Sequence, residues 1–358
     1  MNALASRIAR LIENQGPLSI AQFMTLALHD PEAGYYATRD PFGRTGDFVT
    51  APEVSQMFGE LLGLWTVQVW RDQGSPTPAR LVELGPGRGT LMADVLRAAR
   101  VAPDFLQAID VVLIESSPAL KAVQVEQLKD ADVAVAWRNG FDDTIADRPL
   151  FVLANEFFDA LPIRQYVKTE RGWCERMVTL KNGALAFALA PVPAAGLIVP
   201  ESRGPAEDGA VYEISPSATA FTEELANAIA ARGGAALIVD YGYTASGFGD
   251  TLQAVRAHKF AKTLDAPGHA DLSAHVDFTA LSAAATQGGA KAYGPIAQGA
   301  LLERLGLTER AARLASQNPR DAAEIEAAVA RLMGAREMGT LFQALAILPK
   351  EAPRPAGF

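Results

Sequence analysis

The chain of 358 residues contains one cysteine, Cys174, and four histidines. A single thiol excludes an internal disulfide and a zinc site built from cysteines, and it makes a reducing compartment the natural assignment. No apolar run approaches the ~20 residues that a membrane-crossing helix needs. Basic residues are in the minority, 32 Lys and Arg against 41 Asp and Glu, and they form no long cluster; the formal net charge is −9. A nucleic-acid partner, which requires a basic face to neutralise phosphate, is therefore not expected, and neither is a membrane. His269-Ala270-Asp271 and His275-Val276-Asp277 lack a third clustered histidine, so helix capping and loop hydrogen bonds are expected there and no metal site. The G-x-S-x-G elbow of a serine hydrolase is missing as well. What remains is an apolar content of 49% with 20% charged residues, a globular chain long enough for one large core with additions or for two domains.

The most informative segment is Leu81-Val82-Glu83-Leu84-Gly85-Pro86-Gly87-Arg88-Gly89-Thr90-Leu91, an apolar strand ending in a glycine-dense turn that opens into a helix. Glycines at 85, 87 and 89 remove side chains that would keep a ligand off the backbone, so the turn is read as a nucleotide-cofactor site. A dinucleotide fingerprint would need glycine where Thr90 stands, and a P-loop would need a lysine that is absent.

Around this turn the pattern is that of an α/β fold with a mostly parallel, Rossmann-like sheet and helices on both faces. Residues 1–78 read as an N-terminal helical cap, whose last helix spans about Ser55 to Asp72. At the N-terminus Leu4, Ile8, Leu11 and Ile12 recur at helical spacing beside Arg7 and Arg10, which is taken as a surface helix rather than a targeting peptide. The core begins at residue 79, with strands at Leu81, Ile109–Ile114, Val133–Ala136 and Leu150–Ala154. Residues 163–210 read as an antiparallel insertion with turns at Glu170-Arg171-Gly172 and Lys181-Asn182-Gly183, the second a strong hairpin signal. Residues 211–348 return to the core, with a strand at Ala235–Val239, helices near Pro216–Ala231, Leu301–Ser316 and Asp321–Met333, and a last strand at Leu341–Leu348. The tail 349–358 is expected to fray.

Polar residues stand at the end of each strand, where an open α/β sheet binds its ligand. Glu115, followed by Ser116, is placed to accept hydrogen bonds from a ribose diol. Asp142, with Asp143 beside it, follows the third strand and is a candidate for the adenine amino group. The exit of the fourth strand, Asn155-Glu156-Phe157-Phe158-Asp159-Ala160-Leu161-Pro162, is the candidate reaction loop, with Glu156, Asp159 and Asn155 as catalytic candidates. Carboxylates beside a cation lower the cost of bringing in a second cation and grip a guanidinium through two parallel hydrogen bonds. In the cap, Thr50, Pro52 and Glu53 fit a helix start with a capping box, whereas Asp47 and Gln56 are unexplained by capping and are assigned to a lid over the pocket. His29-Asp30-Pro31-Glu32-Ala33-Gly34-Tyr35-Tyr36 reads as a turn with aromatic anchors facing the same cleft.

Glu83-x-Gly85-x-Gly87-x-Gly89 resembles the first motif of the class I S-adenosylmethionine (SAM) methyltransferases. Together with Gly46-Asp47-Phe48-Val49-Thr50-Ala51-Pro52-Glu53-Val54-Ser55-Gln56, the reaction loop and Asp271-Leu272-Ser273-Ala274-His275-Val276-Asp277-Phe278, it closely resembles the MidA-like family of SAM-dependent methyltransferases linked to mitochondrial complex I assembly. The likeness runs from about Ile8 to Leu348. It implies SAM as cofactor, bound by Gly85, Gly87 and Glu115, with Glu83, Pro86, Gly89, Ser116 and Asp142 alongside and Asp47 and Gln56 closing over it. It also implies Glu156 near the acceptor, and methylation of a protein arginine, in mitochondrial members on a complex I subunit. With no mitochondrial leader read at its N-terminus, the chain is expected to be a bacterial, cytoplasmic member with an acceptor protein that its sequence does not name. Two other readings stay open, a small-molecule methyltransferase and a SAM-binding assembly protein that docks through the hairpin near Ile163 to Ala190.

Overall fold

The computed structural model describes residues 2–38, 49–142, 146–245 and 247–358. Its centre is a mixed sheet of β1 (Ala79–Leu84), β2 (Ile109–Ile114), β3 (Val135–Arg138), β4 (Leu150–Asn155), β5 (Gly234–Tyr243), β6 (Lys291–Ala297) and β7 (Phe342–Leu348), in spatial order β3-β2-β1-β4-β5-β7-β6. The first five are parallel, and β7 runs antiparallel to both β5 and β6. The short strand Val276–Asp277 adds to the end of β5 in parallel. Alternate residues of each strand enter opposite cores: Leu81, Val111, Leu113, Phe151, Leu153 and Leu237 on one face, and Val82, Val112, Val152, Ala236 and Ile238 on the other. Burial on both faces is why these strands read as unbroken apolar runs.

The first face is covered by helices Gln56–Asp72, Thr90–Ala99, Gln298–Arg304 and Leu307–Gln317, the second by Pro216–Arg232 and Phe278–Gln287. The expected cap therefore divides. Gln56–Asp72 belongs to the main core, because Gly59 and Gly63 let it lie directly on Thr90–Ala99; a Cβ at Gly63 would sit 2.8 Å from the carbonyl oxygen of Val95.

Helices Ala3–Gln15 and Ile20–His29 instead join the insertion in a second core, where Leu4, Ile8, Phe23 and Leu28 pack with Val178, Ala254 and Leu272. The first helix buries Leu4, Ala5, Ile8 and Ile12 and is capped by Asn2. The two turns expected in the insertion form as two-residue hairpins, joining Arg164–Thr169 to Gly172–Lys181 and that strand to Ala184–Leu189. The insertion extends past its expected end at residue 210, because Val211–Ile214 pairs with Arg164–Thr169, and Leu18–Ser19 from the N-terminus pairs with Gly172–Lys181. A small sheet of Gln253–Arg256, Lys259–Ala261 and Asp271–Ser273 completes this lobe. The tail is docked, not frayed: the Trp65 indole donates to the Ala356 carbonyl at 3.1 Å, Arg304 donates to Gly357, and Phe358 packs on the main core. Its anchors are backbone acceptors met by distant donors, which leave no periodic pattern in the tail itself.

Candidate active site

The glycine turn lies at the carboxyl end of β1, with φ of +61°, +54° and +82° at Gly85, Gly87 and Gly89. Those values belong to the left-handed region that only glycine enters cheaply. Gly85 is also pressed by the Phe157 ring, 3.0 Å from where a Cβ would sit. Gly89 starts helix Thr90–Ala99 without a side-chain cap, which leaves first-turn amides for other acceptors. The Met92 amide lies close enough to Glu83, beneath the turn, to favour its anion. Glu83 is 3% exposed and its Oε2 has no partner; burial pushes its pKa up to about 8.

At the end of β2 the Glu115 carboxylate accepts from the Ser117 amide at 2.7 Å and from Gln124 Nε2 at 3.3 Å, and burial shifts its pKa upward. Gln124 also donates to the Gly87 carbonyl at 2.7 Å and accepts from the Trp137 indole at 2.9 Å. A fully buried glutamine thus ties the glycine turn to the acid of the next strand. Sequence reasoning missed it; the available signal was a polar residue on the inward face of Pro118–Gln127, four positions from buried Leu120.

At the end of β4 the backbone turns sharply. Glu156 takes φ +51°, a strained value for a residue with a side chain. Its amide is anchored on the Val239 carbonyl at 2.9 Å. Its Oε1 accepts from the Ala51 amide and from Asn155 Nδ2, both at 3.2 Å, while Asn155 Oδ1 is buried without a partner. Burial, then the neighbouring Asp159, push the Glu156 pKa up to about 8. The following loop is held from below by Asp240, fully buried at the end of β5. One of its oxygens accepts the amides of Phe157, Phe158 and Asp159 at 3.1, 2.9 and 3.2 Å, and the other accepts that of Tyr241 at 2.9 Å. Burial, then the neighbouring Asp159 and Glu156, shift the Asp240 pKa well upward, and the amide donors offset only part of that push. Asp240 is a second residue the sequence reading passed over, although an acid at a strand end was its signal. Asp240→Ala is expected to lower unfolding stability by on the order of 3 kcal/mol, since it orphans several buried amides at once. Urea denaturation measures this, and a loss under ~1 kcal/mol would contradict the anchoring role.

Asp159 is buried near the Tyr241 side chain; burial raises its pKa to about 6, against the smaller opposing pull of Tyr241. Phe158 is core, whereas Phe157 borders the cleft. In the lid segment, Thr50 makes no side-chain capping bond. Glu53 reaches instead to the hydroxyl of Thr90 at 2.5 Å, tying the lid to the helix after the glycine turn. Gln56 is exposed at the start of its helix and does not line the cleft. Asp142 is exposed beside Phe141, which does line it. Asp47 and Asp143 lie outside the described residues. Asp277 caps helix Phe278–Gln287 through the Ala280 amide at 3.0 Å, as expected for its segment.

These elements enclose a cavity of about 570 Å³ lined by residues including Gly85, Gly87, Glu115, Ser116, Phe141 and Glu156. That is the size of a small-molecule site. A smaller pocket on the other side of the turn is lined by Glu83, Pro86, Asn155 and Glu156. Two of the three buried acceptors without partners among the described residues, Glu83 Oε2 and Asn155 Oδ1, belong to side chains that line this one pocket; the third, Gln298 Oε1, lies elsewhere. Acceptors so placed call for a ligand with several N–H donors, such as an ammonium group. Paired with a glycine cradle and a strand-end acid, they fit an amino-acid-bearing nucleoside. Among the described residues no lysine or arginine lines the larger cavity, and no helix is long and apolar enough to cross a membrane.

Comparison with known proteins agrees with this geometry. Residues 61–296 match the family described as "Putative S-adenosyl-L-methionine-dependent methyltransferase". The mouse protein named protein arginine methyltransferase NDUFAF7, mitochondrial, is 37% identical over 369 residues, covering 95% of this chain and 83% of its own. Its human counterpart is 36% identical, with coverage of 95% and 82%. A Burkholderia thailandensis protein crystallised with S-adenosyl-homocysteine superposes with a TM-score of 0.86 at 29% identity, over 99% of this chain and 94% of its own. The cofactor is S-adenosylmethionine, the sheet is that of the class I methyltransferases, and the chain belongs to the MidA-like family of SAM-dependent methyltransferases.

Proposed function

We propose that this enzyme methylates an arginine side chain of a protein, and that the acceptor is a subunit of complex I or of its bacterial equivalent. One observation carries the acceptor chemistry: Glu156 borders both the cofactor turn and the large cavity, and no described lysine or arginine lines that cavity, Arg88 lining the smaller pocket and Arg331 acting on Glu156 only through its charge. The names of the mouse and human relatives, both protein arginine methyltransferases, support an arginine as acceptor.

In this reading Gly85, Pro86, Gly87 and Gly89 let the cofactor lie against the backbone. Glu83 and Asn155 take its ammonium group, while Glu115 and Ser116 hold its ribose. When bound, SAM supplies the methyl group from a sulfonium. Glu156 and Asp159 supply the negative charge that allows a guanidinium to approach that cation. Glu156 orients the acceptor nitrogen for in-line transfer and takes the proton that nitrogen releases. Its raised pKa suits a base; its strained backbone is held by Val239 and, through the Phe157 amide, by Asp240, and its carboxylate by the Ala51 amide.

The test is product identification. The purified enzyme, incubated with methyl-labelled SAM and recombinant complex I subunits, is expected to place label in symmetric dimethylarginine, read by acid hydrolysis and mass spectrometry. Label found on lysine alone, or only in small molecules, would overturn the arginine reading.

A further inference from the structure

The turn His29–Tyr36 has no role in the chemistry described so far, yet it supplies two residues, His29 and Tyr36, to the large cavity. Their rings stack at 5.8 Å between centroids with 28° between planes. Fully buried Tyr35 packs edge-on behind Tyr36 at 5.3 Å. The turn itself is rigid. Asp30 accepts the Glu32 and Ala33 amides at 3.0 and 2.9 Å, and Gly34 is pressed so close that a Cβ would lie 2.5 Å from the Asp30 nitrogen.

The Tyr36 hydroxyl donates to Asp271 Oδ1 at 2.9 Å, across 235 residues of sequence. Asp271 is itself 7% exposed and lies in the strand Asp271–Ser273. Three residues on, the Ala274 amide donates to the carbonyl of Asp159 at 3.0 Å. One short segment thus fixes both an aromatic wall of the cavity and the reaction loop. Tyr36 also lies within the field of Asp159, which puts its hydroxyl end on the reaction-loop side. A flat ring lining the same cavity as Glu156, where no described lysine or arginine stands, suits a planar cation lying on its face while the carboxylate takes the edge.

We propose that Tyr36 is the surface on which the acceptor's guanidinium stacks, and that Asp271 is a positioning residue acting through the Tyr36 hydroxyl. This rests on the reading of the acceptor as an arginine. It adds specificity: a lysine ammonium has the charge but no plane to stack.

The probe is N-ethylguanidinium, titrated calorimetrically into the whole protein saturated with S-adenosylhomocysteine. Tyr36→Ala is expected to weaken the probe tenfold or more while the affinity for S-adenosylhomocysteine stays within twofold. Tyr36→Phe and Asp271→Asn should each weaken it about threefold, and the double variant no further than the worse single one, since both act through one hydrogen bond. If Tyr36→Ala does not fold, Tyr36→Leu, which keeps bulk and loses the ring, takes its place. Unchanged probe affinity in these variants, or a loss confined to S-adenosylhomocysteine, overturns the assignment and leaves the arginine reading intact. Failure of the wild type to bind the probe overturns both.

Discussion

Glu156→Gln is expected to bind S-adenosylhomocysteine as tightly as the wild type and to lose about 100-fold or more in kcat. The amide keeps the size of the side chain and an oxygen for the Ala51 and Asn155 donors, so the loop should hold its shape. It removes both the charge that offsets two cations and the base that accepts a proton. An arginine has an unperturbed pKa above ~12, so its proton must go to a group in the site. The free enzyme's Glu156 pKa of about 8 sets the sign of the pH dependence. The active form is the carboxylate, so kcat/KM should rise with pH through an acid limb at or below about 8, because a bound sulfonium favours the anion. The same shift acts on stability. A carboxyl group whose pKa is raised from 4.5 to about 8 by folding binds its proton more tightly in the native state. Its contribution is fully present below pH 4.5 and lost as pH climbs through 8. Glu83, also near 8, behaves alike. Equal turnover by the glutamine variant across this range would remove Glu156 from the mechanism.

Gly87→Val should abolish detectable cofactor binding, raising the Kd for S-adenosylhomocysteine by at least about 100-fold, a cost near 3 kcal/mol. Two effects add. In the proposed reading the branched side chain stands where the cofactor lies on the backbone, and the φ of +54° strains any residue with a Cβ by about 1–2 kcal/mol. Gly87→Ala separates them, since it keeps most of the strain and loses most of the bulk. Calorimetric titration beside thermal unfolding would show a folded valine variant that does not bind. Wild-type affinity in that variant would mean that the glycine turn faces something other than the cofactor.

The readable parts of this protein are those whose signals are local. Leu81 to Leu91 carries strand, turn and helix start in eleven consecutive residues, and its glycines take the positive φ that their spacing suggested. Asn182-Gly183 dictated its hairpin for the same reason. Glu115 and Glu156 were visible as acids at the ends of apolar strands, a position that a parallel sheet turns into a cleft. Gln56 was chosen on chemistry alone, and the helix it begins turns it to solvent, while Glu53, assigned to a capping box, reaches Thr90.

Other features exist only after the chain has closed on itself. Asp240 is anonymous at the end of its strand until β5 settles beside β4 and brings three loop amides onto one oxygen. Gln124 gains meaning when its helix lies over the glycine turn. The second lobe draws on residues 2–38, 163–214 and 253–274, and no window of sequence spans them. The amino-acid order by itself determined the sheet and the glycine turn, because hydrophobic period and glycine placement act over a few residues, and its motifs carried the resemblance that implied the class of reaction. The tertiary structure alone decided which acids share a pocket, which remain without a partner and which aromatic ring faces them, because those depend on contacts that are hundreds of residues apart in the chain.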